Sequence, residues 1–447
     1  MDGTTRGLTR RSFLTTSLTA AAVSAFGRTA AAAPAVKGLA QISIAINQSP
    51  WLPGFRKLVD LYQQQSGNKV QLQLFPFTGL LEKSLNAMTA GSKEFDIINL
   101  NEGWYMTFYD RGWMTPLKEI DPGFELPKEV IEYDYAGRWD PKKKYSTKDG
   151  ILYGVPISGI FQLFAYRGDL YEKAGLKPPE TWDDVIQAAR KLHDPQKGLY
   201  GYAARGHRDG VWWDWMPFLR GYGGDVFKSP PDDWTVVINS PEAVKALELY
   251  VSLTQFSPQN VGDLNQAEQI ALFTADRVLQ TVMASSTYPD MDNPEKSRVV
   301  NKVQWTAVPK PAGGRHSATM GIWVMAIPRV VDQDKKKAAL EFLKWAITKD
   351  AQMEYARFGS IPVRQDVLGS ELANEPRFRV LKAKAASTPY IRAFPRVAEG
   401  PKLTEVLGLR LNQAVTKSLG PKDALDKAAD EIFNIMKRAG YQTGKLG

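Results

Sequence analysis

Residues 41–75 read QISIAINQSPWLPGFRKLVDLYQQQSGNKVQLQLF, and residues 95–100 read FDIINL. Apolar and polar residues alternate at the beginning and at the end of the first stretch, a period of two that is typical of β-strands. The segments between the three strands carry apolar residues at helical spacing, and they stop at Gly67 and Gly91. Strands that alternate with helices predict an α/β fold with a parallel sheet.

The segments that follow two of these strands are rich in ligand-binding groups. Residues 47–51 (Asn-Gln-Ser-Pro-Trp) follow the first strand, and residues 101–105 (Asn-Glu-Gly-Trp-Tyr) follow the third. Ligands of parallel α/β sheets bind beyond the carboxyl ends of the strands. Because these segments offer amides, a carboxylate and indoles, we expect a ligand site at this edge of the sheet.

The rest of the chain predicts further strands and capped helices. Strands are expected at 278–283, 303–308 and 321–327, and the segment from 333 onward is expected to be mainly helical. Helix starts are indicated at Thr181 with Asp184, at Ser240 before Pro241, at Asn265 with Glu268, and at Pro421. The polar and aromatic segment 133–149 is expected to be a surface excursion, and the first crossing between domains is expected within 152–166.

Composition limits the class of protein. The chain is 43% hydrophobic and 23% charged, and no segment approaches the roughly 18 apolar residues of a spanning helix. A mature chain of about 410 residues is too long for one ordinary core, which favours two domains. The formal charge is +9, but the basic residues are scattered, so we expect no nucleic-acid partner. The absence of cysteine excludes disulfides and a lipid-modified cysteine anchor.

The N-terminus resembles a twin-arginine (Tat) signal peptide. Residues 9–15 read Thr-Arg-Arg-Ser-Phe-Leu-Thr, a weakly apolar stretch follows to Phe26, and small residues fill 29–35. We expect residues 1–35 to be the signal peptide, with cleavage near Ala32 to Ala35. The resemblance implies export by the Tat pathway, and the periplasm is the predicted location.

Ordered motifs over nearly the whole mature chain resemble the extracellular sugar-binding proteins of ABC importers. These are the family 1 solute-binding proteins, which are similar to maltose-binding protein. The motifs are Tyr153-Gly-Val-Pro156, Tyr166-Arg-Gly-Asp-Leu170, Ala174-Gly-Leu176, Pro178-Pro-Glu-Thr-Trp182, Gly221-Tyr-Gly-Gly224, Gly321-Ile-Trp323, Gly359-Ser-Ile-Pro-Val-Arg364 and Phe394-Pro-Arg396. The chain departs from the family pattern at Asp276-Arg277, where Gly-Lys is usual, and at Tyr288, where Trp is usual.

The resemblance implies a type II periplasmic-binding-protein fold with a cleft between two lobes. Each lobe is then an α/β unit with a mainly parallel sheet flanked by helices. Lobe 1 is predicted over 36–155 with a return segment over 309–348, and lobe 2 over 156–308 with a C-terminal helical part over 349–447. The resemblance also implies a monomer that delivers its ligand to the transmembrane subunits of an ABC permease, with no enzymatic activity, cofactor or metal.

Sugars and sugar alcohols present apolar C–H faces and many hydroxyls, so a receptor needs flat aromatic surfaces and a few fixed polar groups. The resemblance implies that Trp323 faces the cleft and stacks on a sugar ring, with Gly321 leaving room for the ligand. The alternative is that Trp323 is the first core residue of its strand. The predicted ligand-binding residues are Gln48, Trp51, Asn101, Glu102, Trp104, Phe161, Trp213, Trp215, Tyr288, Trp323 and Arg396.

Two other functions stay open at this point. An exported carbohydrate-active hydrolase needs a pair of carboxylates, which Glu102 and Asp214 could supply. A receptor of the same fold could bind a polyamine or another non-sugar solute. The three histidines, His193, His207 and His316, have no metal-ligand spacing, and no nucleophile elbow or phosphate-binding loop is present.

Overall fold

The computed structural model of the chain describes residues 36–446, and the predicted signal peptide lies outside them. The strands are β1 (Ile42–Asn47), β2 (Val70–Phe75), β3 (Ile97–Asn101), β4 (Arg138–Trp139), β5 (Ile151–Leu152), β6 (Gly154–Arg167), β7 (Phe227–Ser229), β8 (Asp233–Val236), β9 (Gln280–Ala284), β10 (Val303–Thr306), β11 (Ala318–Ala326) and β12 (Ile391–Arg392). The predicted strands at 41–46, 70–74, 95–100, 278–283, 303–308 and 321–327 are thus confirmed to within a few residues.

The helices connect and cover the strands. They are α1 (Leu52–Ser66), α2 (Phe77–Thr89), α3 (Tyr105–Asp110), α4 (Leu117–Ile120), α5 (Gly168–Lys173), α6 (Trp182–Leu192), α7 (Val211–Gly221), α8 (Pro241–Leu253), α9 (Gln266–Thr274), α10 (Tyr288–Met291), α11 (Gln333–Ala346), α12 (Lys349–Arg357), α13 (Gln365–Leu368), α14 (Val380–Ser387), α15 (Gly400–Val415) and α16 (Pro421–Arg438). Of the helices within residues 36–446, none has both the length and the apolar character needed to cross a membrane.

The predicted helix starts are confirmed by hydrogen bonds. Thr181 and Asn265 each form a capping box with the acid three residues later, at the starts of α6 and α9. Ser240 accepts a hydrogen bond from the N–H of Ala243 at the start of α8, and Pro421 is the first residue of α16. The side chains of Thr181, Ser240 and Asn265 satisfy N–H groups that have no partner inside the helix, whereas Pro421 marks a helix start because the first helical residue needs no N–H donor.

The largest sheet is mixed, with the order β10-β6-β11-β3-β1-β2, and with β12 beside β11 and β9 beside β6. β1 pairs in parallel with β2 and β3, as predicted. β9, β10 and β11 all run antiparallel to β6, so the expectation of mainly parallel pairing is wrong around this strand. The period of two that indicates a strand is the same in parallel and antiparallel sheets. Whether two strands pair in parallel depends on how the chain returns to the sheet between them.

The long strand β6 runs through the predicted lobe boundary at 155/156. Its first part pairs with β11, and its last part pairs with β9 and β10. It is therefore a continuous β-strand where the sequence predicts the first crossing between domains. The α/β class and the two-lobed family fold are confirmed, while the individual lobe boundaries stay a prediction.

Aromatic side chains dominate the core beside β1. Phe55 of α1 contacts Phe342 and Tyr355, with ring centroids 6.3 and 6.4 Å apart. Tyr62 of the same helix lies 5.1 Å from the rings of both Phe342 and Trp345. α1 is therefore packed against α11 and α12, which fixes the loop that joins β1 to α1.

The segment 133–149 is more buried than predicted. Its lysines are exposed, but Tyr133 and Trp139 are buried, so the expectation of a surface excursion is wrong for these two aromatic residues. Tyr133, Asp134 and Tyr135 have φ angles of 49°, 50° and 62°. Three successive residues with side chains in the left-handed region form a tight turn that its surroundings must hold in place.

Candidate functional site

A cavity of about 320 Å³ lies beyond the carboxyl end of β3. Its walls come from the segment after β3, the starts of α2, α7 and α15, one residue of β11, and the loop after β12. The apolar lining residues are Phe77, Trp104, Met106, Trp212, Trp213, Met320, Ala393, Phe394, Pro395 and Pro401, and the polar ones are Asn101, Glu102, Arg396 and Thr404. An apolar wall with a few convergent polar groups is the usual form of a small-molecule site.

The turn after β3 places Asn101 and Glu102 at the cavity. The parallel pairing of β1 with β2 and β3 brings the ends of these strands to one edge, and Asn101 is the last residue of β3. The N–H of Gly103 donates to Oδ1 of Asn101 at 3.1 Å, which fixes the turn. An amide and a carboxylate therefore stand side by side and can exchange hydrogen bonds with adjacent hydroxyls.

The carboxyl group of Glu102 is held against β11. The N–H of Ile322 donates to Oε2 of Glu102, and a Cβ added to Gly321 would lie 3.2 Å from both carboxylate oxygens. The expectation that Gly321 leaves room for a ligand is thus wrong, because Glu102 uses that space. Burial raises the pKa of Glu102 to about 7, although the charge of Arg396 and the N–H of Ile322 act in the opposite direction.

Arg396 forms the opposite polar wall. Its Nη1 donates to the backbone carbonyls of Tyr133 at 2.6 Å and Asp134 at 2.7 Å, which belong to the left-handed turn. The guanidinium carbon also lies 5.6 Å from the ring centre of Tyr105. The N–H of Ala393 donates to Oδ2 of Asp134 at 2.6 Å, so the turn holds both ends of the loop that lines the cavity.

Aromatic rings form two layers at the cavity. Phe77 and Trp104 lie 4.6 Å apart between ring centres, and both line the cavity. Trp323 lies behind them, 5.6 Å from Trp104 and 5.9 Å from Phe77, and it contacts Trp51 at 6.3 Å. Trp323 is 4% exposed, so in this structure it supports the wall and does not face the cavity.

The far wall comes from the first turn of α7 and from the loop after β12. Trp212 packs edge-on against Phe394, with ring centres 5.0 Å apart, and Trp213 is partly exposed beside it. This wall faces the polar groups of the segment after β3. A ligand in the cavity would therefore contact parts of the chain that are far apart in sequence.

A family model for bacterial extracellular solute-binding proteins matches residues 47–353. This match spans more than half of the chain and includes the cavity-lining residues from Phe77 to Met320, while the lining residues from Ala393 to Thr404 lie beyond it. The chain belongs to this family.

Two sequence relatives and one solved structure show what this solute-binding protein is similar to. It is 25% identical over 372 residues to a mannitol-binding protein of Pseudomonas aeruginosa, covering 78% of this chain and 82% of the relative. A probable amino-acid ABC transporter periplasmic-binding protein of Sinorhizobium fredii is 24% identical, with 85% of each chain covered. A solute-binding protein of Agrobacterium radiobacter, solved with ribitol, has a TM-score of 0.72 and 25% identity, covering 89% of this chain and 99% of that one.

Five of the predicted ligand-binding residues line the cavity of the solute-binding protein. They are Asn101, Glu102, Trp104, Trp213 and Arg396. Their contact with a solute stays a prediction. Sequence reasoning missed Phe77, Met320 and Phe394 as lining residues and did not select Trp212. Phe77 lies two residues beyond the end of the second strand, so the rule that ligands bind at strand ends, applied to all three strands, would have found it.

The other six predicted residues do not line this cavity, for different physical reasons. Gln48 is exposed to solvent, Trp51 and Trp323 form the supporting layer, and Trp215 is fully buried in the core. Phe161 is also fully buried, with Tyr133 and the ammonium group of Lys384 against its ring.

Tyr288 is the sixth, and it packs in a separate hydrophobic cluster. It starts the short helix α10, and its burial raises its pKa to about 12. The family pattern has Trp at this position, and the Tyr288 ring of this chain packs among apolar side chains away from the cavity.

Asp214 lies below the cavity wall and does not line it. Its Oδ1 accepts from Nε2 of Gln162 at 3.3 Å and its Oδ2 from Nε2 of Gln269 at 3.2 Å. Burial raises its pKa to about 6, against the lowering effect of Arg205 and of the two amides. Within residues 36–446, no group of three or more histidines and acids is placed to hold a metal ion.

A larger open depression of about 710 Å³ adjoins the cavity and shares Met106 with it. Exposed lysines of the segment 142–144 form part of its rim. Because it is more open and more polar than the cavity described above, the smaller cavity is the better candidate for a small-molecule site.

Proposed function

We propose that this protein is the periplasmic receptor of an ABC importer and that its solute is a sugar or a sugar alcohol. The single observation that carries the proposal is the cavity, in which indole and phenyl rings face Asn101, Glu102 and Arg396. Rings of this kind cover the C–H faces of a polyol, and the amide, carboxyl and guanidinium groups bind its hydroxyls. The transmembrane subunits of the permease are the proposed partner.

The size of the cavity supports a small solute. About 320 Å³ is near the lower end of the usual range for ligand sites, roughly 300–1,000 Å³. A single sugar or an open-chain alditol suits this volume better than a long oligosaccharide. The mannitol-binding relative and the ribitol complex are in agreement with this choice.

The competing functions have weaker support. A hydrolase needs two carboxylates at its reaction centre, whereas Glu102 is the one acid among the described residues that line the cavity. A polyamine needs several carboxylates, and Arg396 would repel it. An amino acid is the second candidate, because Glu102 and Arg396 offer opposite charges to a zwitterion, and one relative is a probable amino-acid receptor.

A binding screen tests the proposal. The mature protein would be mixed with alditols, monosaccharides, maltose, amino acids and polyamines, and the melting temperature would be measured, followed by calorimetric titration of the hits. A specific solute raises the melting temperature by mass action. Binding confined to amino acids or polyamines would contradict the sugar or polyol proposal. Steady release of product from an oligosaccharide would contradict the receptor role itself.

The affinity for the solute is expected to fall as the pH is lowered through about 7. The raised pKa of Glu102, about 7, means that below this pH the free protein carries a proton on the carboxyl group. An ionised carboxylate accepts hydrogen bonds from hydroxyls more strongly than a neutral carboxyl group does. At low pH, solute binding must therefore release the proton of Glu102, whereas above about pH 8 the carboxyl group is already ionised. We expect a loss of up to roughly ten-fold between about pH 8 and about pH 6.

Calorimetric titration across this range measures the effect, and Glu102→Gln is the matched control. The glutamine variant should bind more weakly at high pH but show a nearly flat profile. An affinity that rises on acidification would show that the neutral carboxyl donates to the solute, which contradicts the expectation.

We further propose that the Tat pathway exports the protein, which follows from the order of elements in residues 1–35. Replacing both Arg10 and Arg11 by lysine is expected to abolish export, because lysine keeps the charge but not the paired guanidinium groups. Fractionation of cells that express either form measures the periplasmic amount. Wild-type amounts of the double-lysine form in the periplasm would rule out the Tat route.

A further inference from the structure

A proline inside α7 leaves one backbone carbonyl without its helical partner. In an α-helix the N–H of each residue donates to the carbonyl four residues earlier. Residue 217 is a proline inside α7 and has no N–H, so the carbonyl of Trp213 cannot receive the usual bond. Trp213 is also the residue whose side chain lines the cavity.

Two side chains from the sheet donate to this carbonyl instead. Nε2 of Gln162, on β6, donates to the Trp213 oxygen at 2.7 Å, and Oγ1 of Thr319, on β11, donates to it at 3.3 Å. The N–H of Thr319 in turn donates to Oε1 of Gln162 at 2.9 Å. Gln162 and Thr319 are 0% and 1% exposed, so these bonds are shielded from water and are costly to lose.

We propose that Gln162 is a positioning residue for solute binding. It holds the backbone carbonyl of Trp213, which has no helical partner because residue 217 is a proline. The bond sets the position of the first turn of α7 on β6 and β11, and hence the position of the Trp212–Trp213 wall. Thr319 is the second donor in this arrangement. The inference rests on the proposed function, because it assigns a role within the same solute site.

The other contacts of Gln162 connect it to two walls of the cavity. Nε2 also lies 3.3 Å from Oδ1 of Asp214, the residue after Trp213, so the amide holds two successive residues of α7. Thr319 directly precedes Met320, which lines the cavity. Gln162 thus joins the helix wall to the β11 wall without itself reaching the solute.

The test compares two buried glutamines. Gln162→Leu removes the donor to Trp213. Gln280→Leu is the matched control, because Gln280 is also 0% exposed and its Nε2 donates to the carbonyls of Val185 and Gly201, away from the cavity. Both variants lose buried hydrogen bonds, but only Gln162→Leu loses a bond to the Trp212–Trp213 wall.

The first measurement needs no solute. The protein would be labelled with 5-fluorotryptophan, and the resonance of Trp213 among the 12 tryptophans would be assigned by its loss in Trp213→Phe. We expect this resonance to shift or broaden in Gln162→Leu and to stay unchanged in Gln280→Leu. An unchanged Trp213 resonance in folded Gln162→Leu would overturn the inference.

The second measurement is calorimetric titration with ribitol and D-mannitol. We expect about ten-fold weaker binding in Gln162→Leu, the equivalent of one buried hydrogen bond, and wild-type affinity in Gln280→Leu. Equal affinity in the two variants would overturn the positioning role. Failure of the wild-type protein to bind either alditol would count against the proposed solute, while the fluorine spectrum would still decide the role of Gln162.

Two further variants keep the inference testable if Gln162→Leu does not fold. Thr319→Val is nearly isosteric and removes only the second donor, so it should shift the Trp213 resonance by a smaller amount. Pro217→Ala restores an N–H donor to the carbonyl of Trp213. In the Pro217→Ala protein, Thr319→Val should therefore change the Trp213 resonance less than it does in the wild-type protein. An equal change in both backgrounds, or none in either, would contradict the arrangement.

Discussion

Trp213→Ala is expected to weaken solute binding by roughly 30-fold or more, about 2 kcal/mol, as the loss of a central aromatic anchor does. Its indole is partly exposed and lines the cavity, so truncation removes contact area from the solute and little from the core. We therefore expect only a modest fall in the melting temperature. Calorimetric titration and thermal unfolding of the same preparation measure both effects.

The control for this variant lies two residues further along α7. Trp215 is fully buried, and Trp215→Ala should lower the free energy of unfolding by about 3–5 kcal/mol through the cavity that it creates. Its affinity for the solute should stay near the wild-type value in the fraction that folds. Equal affinities for the two variants would remove Trp213 from the site.

Trp323→Ala is expected to lower the free energy of unfolding by about 3–5 kcal/mol, the cost of deleting a buried tryptophan. The indole is 4% exposed and contacts the rings of Trp51, Phe77 and Trp104. Since two of these rings line the cavity, we also expect weaker binding in the folded fraction. Chemical unfolding measured by tryptophan fluorescence gives the change in stability.

Trp323→Phe separates support from direct contact with the solute. A phenyl ring restores most of the backing for Trp104 and Phe77, so this variant should recover most of the stability and most of the affinity. A stable Trp323→Phe protein that has lost its affinity would show that the indole stacks on the solute, as the family resemblance implies. That outcome would contradict the supporting role.

The sequence was most informative where one local pattern determines the structure. Alternation located β1 and β2, because a half-buried strand has a period of two whatever surrounds it, and a short, mainly apolar run located the buried strand β3. Thr181, Ser240 and Asn265 predicted helix starts because their side chains bond to neighbouring N–H groups. Asn101 and Glu102 were found for a similar reason, since they directly follow a predicted strand.

The sequence was less informative where distant parts of the chain meet. The antiparallel neighbours of β6 come from three separate segments, and no local pattern encodes their direction. Trp213 and Trp215 have the same local composition around them, and only the packing of α7 decides which of the two lines the cavity. Tyr133 is buried because its ring meets Gly159 and Phe161, a contact across the fold that its polar neighbours in sequence hide.

The contact between Gly321 and Glu102 limits how these two positions can evolve. A side chain at 321 would press on the carboxylate, since its Cβ would lie 3.2 Å from both oxygens. Relatives that have glutamate at the position of Glu102 should therefore have glycine at the position of Gly321. Relatives with a shorter residue in place of Glu102 can accept alanine there. We expect the pair to change together when a lineage acquires a new solute, so that joint replacement at these positions marks a change of specificity.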